Sequence, residues 1–372
     1  MNFIDLNTQY HILKDDINKR INQVLENGSY IMGPEIKDLE TKLAQFVGSK
    51  YCVSCSNGTD ALLMPLMAWD IGPGDAVFTT PFTFIATAEV VQLLGATSIF
   101  VDIDPETYNI NPDLLEKAIQ QVKSEGKLNP KVVIPVDLFG LCADYDKINL
   151  IAKKHNLLVL EDAAQSFGAV YNKQKSCSFG DCAATSFYPA KPLGCYGDGG
   201  AIFTDDDGLY HKLTSIRVHG QGEDKYNNVR IGLNGRLDTI QAAVLISKLS
   251  IFENEVIERN RVAARYNKNL NEVLKTPFTP ENCTSVWAQY SLLAKSTNHR
   301  TEIMEHLKEN GIPSVIYYPK PLHLQDAFKH LNYSVGDFPV TEDIASRIFS
   351  LPMHPYLKDE EIDTICDVIK KM

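Results

Sequence analysis

The chain has 372 residues, 44% of them apolar and 22% charged, and a formal net charge of −11. So acidic a surface excludes sequence-independent binding to nucleic acid or to an anionic membrane. The length is enough for a sizeable core and suits one large domain followed by a smaller one. The N-terminal stretch "MNFIDLNTQYHILKDD" has neither the basic segment nor the apolar core of a signal peptide. No apolar run approaches the ~18 residues of a membrane span, and the eight cysteines are scattered. A cytoplasmic, reduced protein without a membrane partner is expected.

In chain order, seven short apolar runs read as strands: "YCVSC", "AVFTT", "SIFVD", "VVIPV", "LLVLED", "ATSFY" and "GAIFT". Helical patterns lie between most of them: "TDALLMPLMAW", "TFIATAEVVQLLG", "PDLLEKAIQQVK" and "DKINLIAKKHN". That alternation predicts an α/β domain with a mostly parallel seven-stranded sheet and helices on both faces. Only a loop separates the last two strands, so the sheet is expected to be mixed there. Pro65 inside the first of these helices predicts a kink. Cys52 and Cys55 form the only C-x-x-C. In a strand, residues three apart point to opposite faces, so buried free thiols are expected rather than a zinc or redox pair. From Arg236 the pattern turns helical for a long way, and "VWAQYSLLA", "TEIMEHLKENG" and "DEEIDTICDVIKK" follow. This predicts a large domain over 1–250, with an N-terminal arm, and a small α+β domain over 251–372.

Ligands of open α/β sheets bind at the carboxyl ends of the strands, and three features fall there. In "SNGTDALL" a strand ends, Gly58 turns the chain and a helix starts near Thr59. A helix start offers free N–H groups to a phosphate; it can equally be a plain cap. In "LLVLEDAAQSFGA", Asp162 ends a strand. It can hold a protonated ring nitrogen, bind Mg²⁺ or cap a helix. The Mg²⁺ reading wants a phosphate loop of the G-x-x-x-x-G-K-[ST] type, which the sequence lacks. In "SFYPAKPLGCYGDGGAIF", Lys191 sits between Pro189 and Pro192, with a glycine-dense turn after it. A lysine held on so stiff a loop has the setting of a Schiff-base nucleophile, although most lysines are solvated surface groups. The acidic run "TDDDG" reads as a helix start rather than a metal site, and no metal site is expected.

These motifs, with "NGTDAL", "TFIATAE", "GLNGRLDTIQAA", "IYYPKPLHLQ" and "LPMHPYL", resemble the DegT/DnrJ/EryC1/StrS sugar aminotransferases of fold type I. The likeness runs from about Phe3 to about Tyr356 and is greatest to the branch that aminates C3 of UDP-2-acetamido-2-deoxy-3-oxo-glucuronate. It implies pyridoxal 5'-phosphate as cofactor, carried covalently by Lys191, with Asp162 on its ring nitrogen and Gln165 near its phenolic oxygen. Gly58, Thr59 and Ser186 would bind its phosphate, and Phe84 would stack on its ring. Asn234 would reach the phosphate of the second subunit's site, making a homodimer with shared active sites. Arg236, Tyr317 and Tyr318 would face a nucleotide-sugar substrate, and L-glutamate would be the amino donor. His219 and Tyr188 can line the same channel or serve structure alone, as can His354. The implied alternative is a 3- or 4-aminotransferase of a dTDP- or UDP-linked keto-deoxysugar. One departure from the branch is Tyr317, where a histidine can stand. Relatives that work as dehydratases replace the lysine by histidine, and a non-catalytic sensor should lack part of the set; Lys191, Asp162 and the phosphate motif are all present.

Overall fold

The computed structural model describes residues 1–224 and 226–372. Seven strands form the central sheet: β1 (Tyr51–Cys55), β2 (Asp75–Thr79), β3 (Thr97–Phe100), β4 (Asn129–Val133), β5 (Leu158–Asp162), β6 (Cys182–Ser186) and β7 (Gly200–Thr204). Their order is β1-β7-β6-β5-β4-β2-β3. Only β7 runs against the rest, antiparallel to both β1 and β6. Each of the seven expected strands is therefore in the sheet. β4 ends at Val133 because Pro135 has no N–H to give the ladder. β6 starts two residues before the expected run, at Cys182.

Among the described residues, nine α-helices lie within the first 270 positions: α1 (Leu6–Asn27), α2 (Pro34–Val47), α3 (Gly58–Ala68), α4 (Ala86–Leu93), α5 (Pro112–Glu125), α6 (Tyr145–His155), α7 (Asp207–Ile216), α8 (Thr239–Leu249) and α9 (Phe252–Leu270). α3 runs on through Pro65, whose missing N–H leaves the Ala61 carbonyl without its usual helical donor. Asp206 caps α7 by accepting the Leu209 N–H, which gives the acidic run its structural role. The two sheet faces carry separate cores. One gathers Val53, Cys55, Leu62, Val132, Leu160 and Ile202. The other gathers Cys52, Phe167, Phe187, Phe203, Leu245 and Phe252. Cys52 and Cys55 thus point to opposite faces, and all eight cysteines are free thiols.

The long helical stretch after Arg236 is two helices, broken at Ser250 and Ile251. There the Ser250 hydroxyl donates to the Ser247 carbonyl at 2.6 Å, a local bond that competes with the helical ladder. Beyond α9, β8 (Tyr290–Leu293) pairs antiparallel with β9 (Ile348–Leu351), and α10 (Thr297–Glu309), α11 (Pro339–Arg347) and α12 (Asp359–Lys370) complete the chain. Tyr266, Tyr290, Leu292, Phe349, Ile362 and Ile365 form a core of their own here. No helix among the described residues is long and apolar enough to cross a membrane.

One carboxylate ties this part to the sheet. Asp102, just past β3, accepts the N–H groups of Val340 (3.0 Å) and Thr341 (2.9 Å) and the Thr341 hydroxyl (2.7 Å). It caps α11 from outside that helix's own segment. Asp102→Ala leaves these donors without an acceptor and should lower stability by about 2–3 kcal/mol, read from the urea midpoint at unchanged m-value.

Candidate active site

The strand ends that share the carboxyl edge of the sheet converge. Asp162 is the last residue of β5 and is buried. Its Oδ2 accepts the Thr87 hydroxyl of α4 at 2.7 Å, and its Oδ1 accepts the Ala164 N–H at 3.2 Å. Burial pushes the carboxyl above its ordinary value; Thr87, Ala164 and the charge of Lys191 act against that. Lys191 shows the converse. Part of its side chain meets solvent, but its amine lies among protein atoms, and that burial pulls it below the usual lysine value against the attraction of Asp162. Amine and carboxylate therefore sense each other in a poorly solvated site, the setting in which a lysine becomes a usable nucleophile and base.

Gln165 ties the next layer together. Its amide oxygen accepts the Phe139 N–H at 2.8 Å and its amide nitrogen donates to the Tyr318 hydroxyl at 3.1 Å. Burial is the main cause that pushes the Tyr318 phenol up. The Phe84 ring, 55% exposed, lies 6.5 Å from that of Tyr318. An exposed aromatic beside a half-buried one is a surface ready to be covered by a flat ligand. Tyr317 adjoins Tyr318, and its phenol is pushed up by burial and then by Tyr188. On its other side the Phe3 ring stands 6.4 Å away, while the Phe3 carbonyl accepts the Met353 N–H at 3.2 Å. The N-terminal residues therefore border the Tyr317 side of the site within their own chain.

Ser186, the last residue of β6, meets the start of α3. A Cβ on Gly58 would stand 2.6 Å from the Ser186 Cβ and 2.9 Å from its Oγ, so only glycine permits this approach. Asn57 caps the helix through its side-chain oxygen, which takes the Asp60 N–H at 2.8 Å. The Gly58 and Thr59 N–H groups, at the first two helical positions, have no acceptor within the helix. Together with the Ser186 hydroxyl they form a cradle suited to an anion. The far end of the Lys191 loop closes on the same spot, since a Cβ on Gly200 would stand 2.4 Å from the Asn57 carbonyl oxygen.

Three expected site residues, Asn234, Arg236 and His219, make no hydrogen bond to Lys191, Asp162 or Gln165 among the described residues. Asn234 and Arg236 bond to each other, Arg236 Nη2 donating to Asn234 Oδ1 at 2.6 Å. Their segment runs beside the exit of β1, where the Gly235 carbonyl accepts the Ser56 N–H at 3.1 Å. His219 is exposed, with its carbonyl accepting the Asn228 side chain at 2.8 Å. His354 is buried beside Asp5 and Arg259, and burial pulls it down to about 4. Thr87 and the Phe139 N–H were not anticipated. Thr87 stands in the quoted run "TFIATAE", one turn from Thr83, and their hydroxyls lie 3.1 Å apart. Two threonines four residues apart, Thr83 just before α4 and Thr87 in its first turn, were the available signal.

A desolvated amine that senses a buried carboxylate, with a helix start suited to an anion at the next strand end, is an arrangement able to hold a phosphorylated ring in an α/β fold. The chain belongs to the DegT/DnrJ/EryC1/StrS aminotransferase family, whose model matches residues 11–370. It is 50% identical over 365 residues to UDP-2-acetamido-2-deoxy-3-oxo-D-glucuronate aminotransferase of Pseudomonas aeruginosa, covering 98% of both chains. Among solved structures it is similar to a DegT DnrJ EryC1 StrS aminotransferase from Brucella abortus, at 52% identity and a TM-score of 0.97, covering 100% of this chain and 99% of that one. It is also similar to NtdA from Bacillus subtilis with bound cofactor PMP, at 29% identity and a TM-score of 0.89, covering 99% of this chain and 82% of that one.

Proposed function

We propose that this aminotransferase uses pyridoxal 5'-phosphate to convert UDP-2-acetamido-2-deoxy-3-oxo-glucuronate to its 3-amino sugar, with L-glutamate as donor. The product would serve surface polysaccharide synthesis such as an O-antigen, in the cytoplasm. The observation that carries the reaction is Lys191 facing buried Asp162 beside the Gly58–Ser186 cradle. The substrate rests on the likeness to the Pseudomonas enzyme.

The residues present fit the cofactor. Its phosphate matches the Gly58 and Thr59 N–H groups and the Ser186 hydroxyl. Its protonated ring nitrogen matches Asp162, whose burial is relieved once a cation stands beside it. Phe84 would supply the stacking face and Gln165 would meet the phenolic oxygen. When bound, pyridoxal phosphate supplies an electron sink for the carbon that loses a proton. Lys191, with its lowered proton affinity, takes a proton from the donor Cα and later gives one to C3 of the sugar. Thr87 and Ala164 keep Asp162 aimed throughout. Tyr317, Tyr318 and Tyr188 line the sugar side, with His219 toward the channel mouth. Asn234 and Arg236 act across a homodimer interface, Asn234 on the phosphate and Arg236 on a substrate anion. Residues 1–250 form the cofactor domain and 251–372 the smaller one.

Gly58→Ala tests the cradle. With no acceptable place for the new Cβ, α3 must withdraw from Ser186, and affinity for pyridoxal phosphate should fall about 10- to 100-fold. Equilibrium dialysis reads this directly, and an unchanged dissociation constant would place the phosphate elsewhere. For the substrate, purified protein is to be offered UDP- and dTDP-linked 3-keto and 4-keto sugars with glutamate. A kcat/KM highest for the 3-oxo uronate is expected. The second reading, amination of a keto-deoxysugar at C3 or C4, draws on Tyr317, a phenol in place of a histidine. Preference for a 4-keto sugar would establish that reading instead.

A further inference from the structure

Lys248 is a second buried lysine, and the chemistry above does not use it. It lies on α8 with 1% of its surface exposed. Its stem passes through the apolar side of the helix, and its Nζ donates to the Gly194 carbonyl at 2.7 Å. The same ammonium stands 4.3 Å from the centre of the Tyr196 ring, a cation–π distance. Burial pulls its amine down to about 8, against the opposing charge of Glu255. A lysine kept at that cost, three residues from Lys191 along the chain it grips, has a task in the loop.

The loop is tight around this grip. A Cβ on Gly194 would stand 2.5 Å from the Pro189 carbonyl oxygen and 2.7 Å from that of Tyr188. That Tyr188 carbonyl also accepts the Lys191 N–H at 2.8 Å. The Cys195 N–H returns to the Phe187 carbonyl at 2.7 Å. Gln241 lies two helical turns before Lys248, on the same face of α8. Its side-chain oxygen accepts the Tyr196 N–H at 2.8 Å and its nitrogen donates to the Tyr196 carbonyl at 3.4 Å. Gly194 and Tyr196 are thus both held from one side by one rigid helix.

We propose that Lys248 and Gln241 are positioning residues, a clamp on α8 that fixes the loop carrying Lys191 and so sets where its amine stands. The clamp rests, for its functional meaning, on Lys191 being the reacting amine. Lys248→Met removes the donor while keeping an unbranched apolar stem, and it leaves the buried Gly194 carbonyl without a partner. Gln241→Leu, at a partly exposed position, tests the same clamp with less risk to folding.

The test begins with amide hydrogen exchange in the protein freed of cofactor. Residues 187–199 should exchange about tenfold faster or more in both variants, with β5 unchanged. Pyridoxal phosphate is then added, and its attachment to Lys191 is trapped with borohydride. Attachment should slow about 10- to 100-fold, because small errors of placement weigh heavily on such steps. Exchange that stays unchanged in this segment, or that rises equally across the sheet, overturns the clamp. Faster exchange in the loop with no attachment even in the parent protein would leave the clamp standing and remove Lys191 as the cofactor lysine.

Discussion

Replacing Lys191 with alanine is expected to abolish turnover, by about a thousandfold or more, because on the proposed function one side chain would serve as covalent anchor and as proton carrier. Borohydride treatment of the parent protein should add the mass of a reduced cofactor to the peptide that contains Lys191. Among the described residues, Lys191 and Lys248 have lowered proton affinity through burial, so the modified peptide must be mapped. Lys248 spends its amine on the Gly194 carbonyl and should stay unmodified. A Lys191→Ala protein that still yields a covalent adduct would show that another amine carries the cofactor.

The second large effect belongs to Asp162, and it has opposite signs on activity and on stability. Asp162→Asn should lower kcat about 10²- to 10³-fold, since an amide cannot stabilise a protonated ring nitrogen as a carboxylate does. In the cofactor-free protein the same change should stabilise. Burial holds the folded carboxyl above its unfolded value of ~3.9. The folded state therefore binds the proton more tightly, and stability falls as pH rises from the unfolded value through the folded one. Above the unfolded value the carboxyl's burial therefore costs stability, and asparagine removes that cost. The Thr87 hydroxyl can turn to accept from the new amide, which limits the cost of the exchange. Chemical denaturation at pH 7 should find the variant more stable, with the two proteins converging below about pH 4. A variant less stable at pH 7 than the parent would show that Asp162 is held charged by the protein alone.

Much of the sheet was legible because its strands are short apolar runs bounded by turn residues, and all seven could be named. The weakest of them, β6, was displaced by two residues for a physical reason. Its "CAATS" is buried throughout and built of small side chains, so neither alternation nor β-branching marks its start. The paired strands at Val170–Tyr171 and Gln174–Lys175 carry too few residues for any periodicity. At the site, Lys191 and Asp162 stood out by their loop and strand-end settings, whereas the roles of Gln165, Ser186 and Phe84 came from resemblance. Thr87 stayed hidden because a threonine in a buried helix face reads as packing, and its meeting with Asp162 spans 75 positions of chain. Lys248 reads as an ordinary helical lysine until the chain is folded. Asn234, Arg236 and His219 form no hydrogen bond to Lys191, Asp162 or Gln165 among the described residues; the roles of the first two across an interface, and of His219 in the channel, came from the resemblance.

The reversal of β7 has a consequence for how this family member can change. A parallel partner would have required a crossover on the sheet's face. An antiparallel one lets the connection leave β6 and enter β7 at the same edge, so the Lys191 loop touches the anion cradle at both ends. Ser186 meets Gly58 at its beginning, and Gly200 meets Asn57 at its finish. An inserted or deleted residue anywhere between them would shift amine and phosphate seat at once. On the proposed function, the length of this hairpin would set the distance between two anchoring points of a single ligand.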